Sequence, residues 1–250
     1  MLTLACDTSN STCCAGLYRD GQELSYKLSM DTRTHSETFM PLVHEVMEEA
    51  GVTHKEIDRY AVTVGPGSFT GIRIGLSAVK GMALVNDTGC VPVSATKALM
   101  RSVENVSSDK ENTIVIACFD ARNKRVFASV AHNKDFKELI EEDAYDAEKL
   151  AHLIDELPEL MNAREAPSSL PLNILVIGSG SDVMKQALAD TGVIPNGDFA
   201  PGIKVQYAKG AVILPRGVYE ASKDTESIPG AAISAAYFAK SQAERFRNAN

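Results

Sequence analysis

Two aspartates close two hydrophobic stretches of this sequence, Asp7 after Leu2-Thr3-Leu4-Ala5-Cys6 and Asp120 after Ile114-Val115-Ile116-Ala117-Cys118-Phe119. Asp7 is followed by Thr8-Ser9-Asn10-Ser11. A carboxylate followed by hydroxyls at a strand end can hold a hydrated metal or a phosphate, or it can cap a turn. Asp7 and Asp120 could pair across a cleft, but without a base, nucleophile or metal set they define no reaction. The histidines are His35, His44, His54, His132 and His152, and no two sit three or four residues apart, so no helical zinc face exists. In His44-Glu45-Val46-Met47-Glu48 a glutamate stands where a zincin has its second histidine. Gly178-Ser179-Gly180 follows an apolar run and can present backbone N–H groups to phosphate. The run of glycine, four residues and Gly-Lys-Ser/Thr that cradles phosphate is absent. Gly67-Ser68-Phe69-Thr70-Gly71 centres phenylalanine where a nucleophile elbow needs serine. Spacing alone therefore yields no mechanism.

The elements that must position these residues meet at Gly65-Pro66-Gly67-Ser68-Phe69-Thr70-Gly71-Ile72-Arg73-Ile74-Gly75. Arg59 to Val64 is rich in β-branched and aromatic side chains and reads as a buried strand. Gly65-Pro66-Gly67 must break it, glycine by permitting positive φ and proline by fixing φ without an N–H. Ser68 or Thr70 can cap the helix that follows. Gly71, Gly75 and Ala78 fall on one side of that helix. Each interior glycine costs about 1 kcal/mol against alanine, so something packs very close there: the helix's own sheet, or a ligand or partner.

At 250 residues the chain can bury a sizeable core, as one large domain or two small lobes. A net charge of −8 and a pI near 5.2 argue against a large phosphate-binding face, so any dealing with RNA is expected to be indirect. The five cysteines, Cys6, Cys13, Cys14, Cys90 and Cys118, show no C-x-x-C spacing and sit in apolar runs, as small core residues of a reducing compartment do. The first residues lack a basic stretch, and no apolar run approaches the roughly 18 residues of a membrane helix. A cytoplasmic location is expected.

Leu2 to Asp7, Thr12 to Tyr18 and Glu23 to Ser29 read as three strands, the last two joined by the Asp20-Gly21 turn. Thr34-His35-Ser36-Glu37 has the form of a capping box. It opens a helix with Phe39, Leu42, Val43, Val46, Met47 and Ala50 at helical spacing, a stripe suited to core packing or to a partner. Pro41 is expected to kink that helix or move its start. Gly89 to Val93 reads as a strand, and the helix begun by Ser94 to Met100 ends in Ser107-Ser108-Asp109-Lys110. The boundary between lobes 1–106 and 107–250 is placed there. In the second lobe Ile114 to Asp120 and Arg125 to Ala131 read as strands, Ala147 to Leu157 as a helix and Pro158 to Pro171 as a loop. Asn173 to Ile177 reads as a strand and Ala208 to Ser222 as a long helix crossed by Pro215. Three strands, helix, strand, helix, done twice, predicts two related α/β lobes.

The chain closely resembles the TsaB (YeaZ) family of bacterial tRNA-modification proteins. The resemblance rests on Asp7-Thr8-Ser9, on His35-Ser36-Glu37 with Pro41, and above all on the run from Gly65 to Gly75. Asp120-Ala121-Arg122, Val126-Phe127, Tyr237-Phe238 and Ser241-Gln242-Ala243-Glu244 add to it, with Ala239 departing from the family's arginine. It implies a two-lobed α/β fold of the actin, Hsp70 and sugar-kinase kind, built from a duplicated βββαβα unit. The related catalytic subunit TsaD holds metal through two histidines at a place corresponding to Val93-Ser94-Ala95-Thr96-Lys97-Ala98-Leu99, which has none. The resemblance therefore implies a scaffold without catalytic or metal-binding residues, which pairs with TsaD and works with the ATPase TsaE. Together they install threonylcarbamoyl on the adenosine beside the anticodon. Proteolysis, an old label of the superfamily, finds no support in these residues. The implied docking face, shared with a homodimer when TsaD is absent, comprises His35, Phe39, Leu42, Val43, Val46, Met47, Gly71, Ile72, Gly75, Leu76, Ala78 and Val79. No cofactor is required. The nucleotide alternative places ATP or ADP at the complex interface or in the cleft, at Asp7, Thr8, Ser9, Gly178, Ser179 and Gly180. A nucleotide-dependent phosphotransferase of the same fold is the competing function.

Overall fold

The computed structural model describes residues 1–30, 35–103, 109–165, 171–196, 198–223 and 225–236. Thr34 of the capping box, Ser107-Ser108 of the polar tract, and the final motif with Ala239 lie outside the described residues. The chain forms two units, one of Met1–Ser102 with Val212–Asn250 and one of Val103–Ala211.

In the first unit, β1 (Leu2–Asp7), β2 (Cys13–Arg19) and β3 (Gln22–Ser29) form an antiparallel meander. Helix α1 (His35–Ala50) then leads to β4 (Arg59–Gly65), α2 (Phe69–Asn86), β5 (Gly89–Ser94) and α3 (Ala95–Ser102). Both β4 and β5 run parallel to β1. The second unit repeats the plan with β6 (Thr113–Asp120), β7 (Arg125–His132), β8 (Glu138–Asp146), α4 (Ala147–Asp155), α5 (Pro158–Glu165), β9 (Leu172–Ile177), α6 (Ser181–Asp190), β10 (Phe199–Ala200) and β11 (Ile203–Ala208). Helix α7 (Pro215–Ala221) and β12 (Ile228–Pro229) complete the first unit. The sheet orders are β12-β5-β4-β1-β2-β3 and β10-β11-β9-β6-β7-β8, so the two halves match strand for strand. The duplication legible in the sequence is thus present, with a fifth main strand and a short antiparallel edge strand added to each sheet. Each sheet packs one face on its own apolar cluster, the first with α1 and α2, the second with α4 and α6. Among the described residues no helix is long and apolar enough to cross a membrane.

Four sequence expectations need correction. The boundary read at 106/107 overlooks a return of the chain: from Val212 it rejoins the first unit. Leu214 N donates to Ser102 Oγ (2.9 Å), Tyr219 stacks on Tyr18 with ring centroids 4.5 Å apart, and β12 pairs with β5. The helix read over Ala208 to Ser222 is shorter. Ala208 ends β11, and Pro215 is the first helical residue, where its missing N–H leaves no bond unmade. Pro158 likewise opens helix α5 inside the stretch read as loop. The strand β8 has no clear alternation to announce it, because its Glu138, Glu141 and Asp143 lie exposed on a charged sheet edge. Helix α1 runs unbroken from His35 through Pro41, so the proline does not move its start.

Gly217 makes the return of the chain possible. A Cβ there would lie 2.1 Å from Ser102 Oγ and 2.2 Å from the Ala98 carbonyl oxygen, so α7 and α3 meet backbone to backbone. Gly217→Val is expected to cost about 1–3 kcal/mol by overpacking, a fall of roughly 2–12 °C in the first unit's melting temperature at about 2–4 °C per kcal/mol. Differential scanning calorimetry measures it; an unchanged first transition would contradict this packing.

Candidate functional site

Strand β1 ends at Asp7, whose side chain is fully buried. Asp7 Oδ1 accepts hydrogen bonds from Ser9 N (3.0 Å), Ser9 Oγ (2.5 Å) and Thr63 Oγ1 (2.5 Å) on the neighbouring β4. Asp7 Oδ2 has no partner among the described residues. Burial raises the carboxyl's pKa, and the bonds from Ser9 and Thr63 lower it in part. The same local turn recurs in the second unit, where Asp120 Oδ1 accepts from Arg122 N at 2.7 Å, but there the aspartate is exposed.

The glycine-rich loop closes over this turn. Gly65 ends β4 with φ +123°, and a Cβ on it would lie 2.7 Å from the Ala236 carbonyl oxygen. Ser68 N donates to the Ser9 carbonyl at 2.6 Å. Ser68, not Thr70, caps α2, its Oγ accepting from Gly71 N at 3.2 Å. Thr8 Oγ1 donates to the Gly71 carbonyl at 2.8 Å. Cβ atoms at Gly71 and Gly75 would lie 2.1 Å from the Thr8 carbonyl oxygen and 2.3 Å from Thr8 Oγ1. His35 Nε2 donates to the Asn10 carbonyl at 2.6 Å, which ties the start of α1 to the same turn. The three separate motifs of the sequence therefore meet at one node.

This geometry corrects the docking face. Phe39, Leu42, Val43, Val46, Met47, Ile72, Leu76 and Val79 are buried in the first unit's own core, with Ala78 packed partly buried against it. Gly71 and Gly75 are buried against Thr8, and His35 is only half-buried. The apolar stripe of α1 packs on β2 and β3 and that of α2 on β4, which removes both stripes from water within the first unit's core. The closely packed neighbour that the glycines require is the turn after β1.

Of the residues in the nucleotide alternative, Asp7, Thr8 and Ser9 lie in the first unit, and in the second Gly178 is buried and Ser179 exposed. Asp7, Thr8 and Ser9 are fully buried and bonded within the chain. In the second unit Gly180 is buried, and a Cβ on it would sit 3.1 Å from the Phe119 backbone, so this glycine serves helix-to-strand packing. Ser179 Oγ accepts from Asp120 N at 3.2 Å. All five thiols are free and buried. Burial pushes them away from the thiolate, Cys90 up to about 11 and Cys13 up to about 12. Among the described residues no group of three His, Cys, Asp or Glu side chains can hold a metal ion. Sequence reasoning missed Thr63 and Asn10, whose neighbours in space come from another strand and another helix. The hydroxyl at Thr63, inside an otherwise apolar strand, was the available signal.

Two sheets of one strand order, each with its crossover helices, make this a duplicated mixed α/β fold. The profile of the family described as TsaD, tRNA N6-adenosine threonylcarbamoyltransferase, matches residues 29–239. The tRNA threonylcarbamoyladenosine biosynthesis protein TsaB of Haemophilus influenzae is 32% identical over 142 residues, 55% of this chain and 58% of that protein. The protein of the same name in Escherichia coli K12 is 31% identical over 127 residues, 51% of this chain and 53% of that one. The matched regions thus span little more than half of these two relatives. A Pseudomonas aeruginosa crystal structure described as similar to peptidase YEAZ superposes with TM-score 0.70 at 21% identity, covering 95% of this chain and 99% of that one. The chain belongs to the TsaD family and, within it, to the TsaB (YeaZ) group.

Proposed function

We propose that this protein is a non-catalytic subunit of tRNA threonylcarbamoyladenosine biosynthesis, pairing with a TsaD-like catalytic chain and working with a TsaE-like ATPase. The observation that carries this reading is the fate of the segment Val93 to Leu99, where the catalytic member holds its histidines. Here it is the end of β5 and the start of α3, with Val93, Ala95, Thr96, Ala98 and Leu99 buried in the chain's own packing. Its exposed member is Lys97, a cation that would repel a metal. The relatives' shared name supports the pathway. No cofactor of its own is assigned to the chain, because Asp7, Thr8 and Ser9 turn their side chains inward. Contact with tRNA is indirect in this reading, because a net charge of −8 disfavours binding to phosphate.

The docking face in this proposal is the outer side of α1 and α2. It carries Met40 (41% exposed), Phe69 (40%), Leu84 (67%) and Val85 (74%), and Arg73 lies over the Phe69 ring at 3.7 Å. Large apolar side chains held in water on two adjacent helices suit a helical partner, whether TsaD or, in its absence, a second copy. Replacing Leu84 and Val85 together by aspartate buries two unpaired charges in that interface. A loss of at least about 3 kcal/mol follows, roughly a hundredfold in affinity. Titration calorimetry against the TsaD-like chain should record that loss at a near-native melting temperature. Unchanged affinity would remove this face, and threonylcarbamoyl transfer by the purified chain alone would overturn the non-catalytic reading.

A further inference from the structure

Two ridges run along the outer side of α1 and α2, and their charges are segregated by helix. Glu37, Met40, His44 and Glu48 succeed one another on α1 at steps of three and four residues. They therefore share one stripe, and all four are exposed. Phe69, Arg73, Ser77, Lys80 and Leu84 do the same on α2, with Lys80 half-buried and the others exposed. Helix α1 contains four glutamates and no lysine or arginine, whereas α2 contains Arg73 and Lys80 and no acid. Glu49, off the stripe, pairs with Lys27 of β3. Glu48 stands in the last turn of α1, where the helix macrodipole disfavours a negative charge, so it does not serve the stability of its own helix. On α2 the Arg73 guanidinium lies over the Phe69 ring, which sets a positive charge beside an exposed apolar side chain.

We infer, on the docking face proposed above, that these two ridges select and orient the partner by charge. The partner helix that settles on α1 carries Lys or Arg opposite Glu37 and Glu48, and the one that settles on α2 carries Asp or Glu opposite Arg73 and Lys80. Met40, Phe69 and Leu84 supply contact area, but apolar side chains accept any apolar helix of similar shape. Charge supplies the discrimination. Exchanging the two partner helices would keep the apolar contacts and set acid on acid and base on base, which is repulsive in a desolvated interface. The same complementarity speeds encounter, in a manner that salt screens.

Surface plasmon resonance of the full chain against the TsaD-like chain, at about 0.05 M and about 0.5 M NaCl, tests this. Glu37→Lys combined with Glu48→Lys should keep the wild-type melting temperature, because both side chains are exposed. It should slow association at least about tenfold at the lower salt, with a much smaller difference at the higher. Glu37→Gln with Glu48→Gln should fall between that variant and the wild type, and Lys80→Glu should slow association in the same salt-dependent way. Leu84→Asp with Val85→Asp, run in parallel, separates the charge assignment from the docking face itself. Lost affinity in that variant beside wild-type kinetics in the charge variants would overturn charge selection and leave the face standing. No effect of either set, or no binding by the wild type, would overturn both. Sedimentation velocity of the chain alone completes the test. Self-association that the charge reversals abolish, with binding to the TsaD-like chain unchanged, would make a second copy the occupant and overturn the assignment.

Discussion

Gly75→Leu is expected to melt the first unit on the order of 10 °C below the wild type, at roughly 2–4 °C for each kcal/mol lost. Gly75 lies in the middle of α2, and its missing Cβ would stand 2.3 Å from Thr8 Oγ1. Thr8 cannot retreat, being fully buried and bonded to the Gly71 carbonyl one turn earlier in the same helix. A leucine must therefore push α2 off the turn after β1. The cost combines overpacking, typically about 1–3 kcal/mol and sometimes more, with the Thr8–Gly71 bond, worth about 1 kcal/mol. Gly81 in the same helix provides the matched control: it is exposed, and a Cβ there meets nothing within 4 Å. Gly81→Ala should raise stability by up to about 1 kcal/mol. Circular-dichroism melts of the two variants decide between two roles for the glycines. If the stripe were an interface, Gly75→Leu would melt like the wild type and lose only its partner.

The contrast between these two glycines also shows what the sequence could disclose. Periodicity placed apolar stripes on α1 and α2, and both stripes are real. Periodicity cannot tell a sheet from a partner helix as the surface covering a stripe, because either removes the same apolar area from water. Only the position of Thr8 under Gly71 and Gly75, set by the pairing of β1 with β4, decides it. The duplication was legible because both halves begin with an apolar strand ending in aspartate and continue in the same element order. The return of the chain at Val212 was not legible. It depends on long-range contacts such as Gly217 on Ala98 and Tyr219 on Tyr18, which no local pattern announces. The two prolines at helix starts, Pro158 and Pro215, misled for one reason: a proline reads as a breaker until the first helical residue is known.

Asp7→Ala and Asp7→Asn should part company, and the difference should depend on pH. Alanine removes the acceptor shared by Ser9 N, Ser9 Oγ and Thr63 Oγ1, leaving three buried donors without a partner. Each such donor costs about 1–3 kcal/mol when fully orphaned, so even with partial relaxation the loss should reach about 3 kcal/mol. Asparagine keeps an acceptor oxygen for all three donors and puts its NH2 group where Oδ2 now lies without a partner. It gives up charge assistance, but it also removes a buried negative charge. Burial is the larger influence on this carboxyl and raises its pKa above 3.8, so the charged form is the disfavoured one. The folded state then holds the proton more tightly than the unfolded chain. Its stabilising contribution is fully present below the unfolded value near 3.8 and is lost as pH rises through the raised folded value. Asp7→Asn has no such titration. Its melting temperature should therefore gain on the wild type as pH climbs through that window and hold the gain at neutrality, while Asp7→Ala stays well below both. Melts across the acidic range, at fixed ionic strength, measure the three curves. Asp7→Asn falling as far as Asp7→Ala at pH 7 would mean that the hydrogen bonds, not burial, set the energy of this carboxylate, and that the node between β1, β4 and α2 depends on its charge.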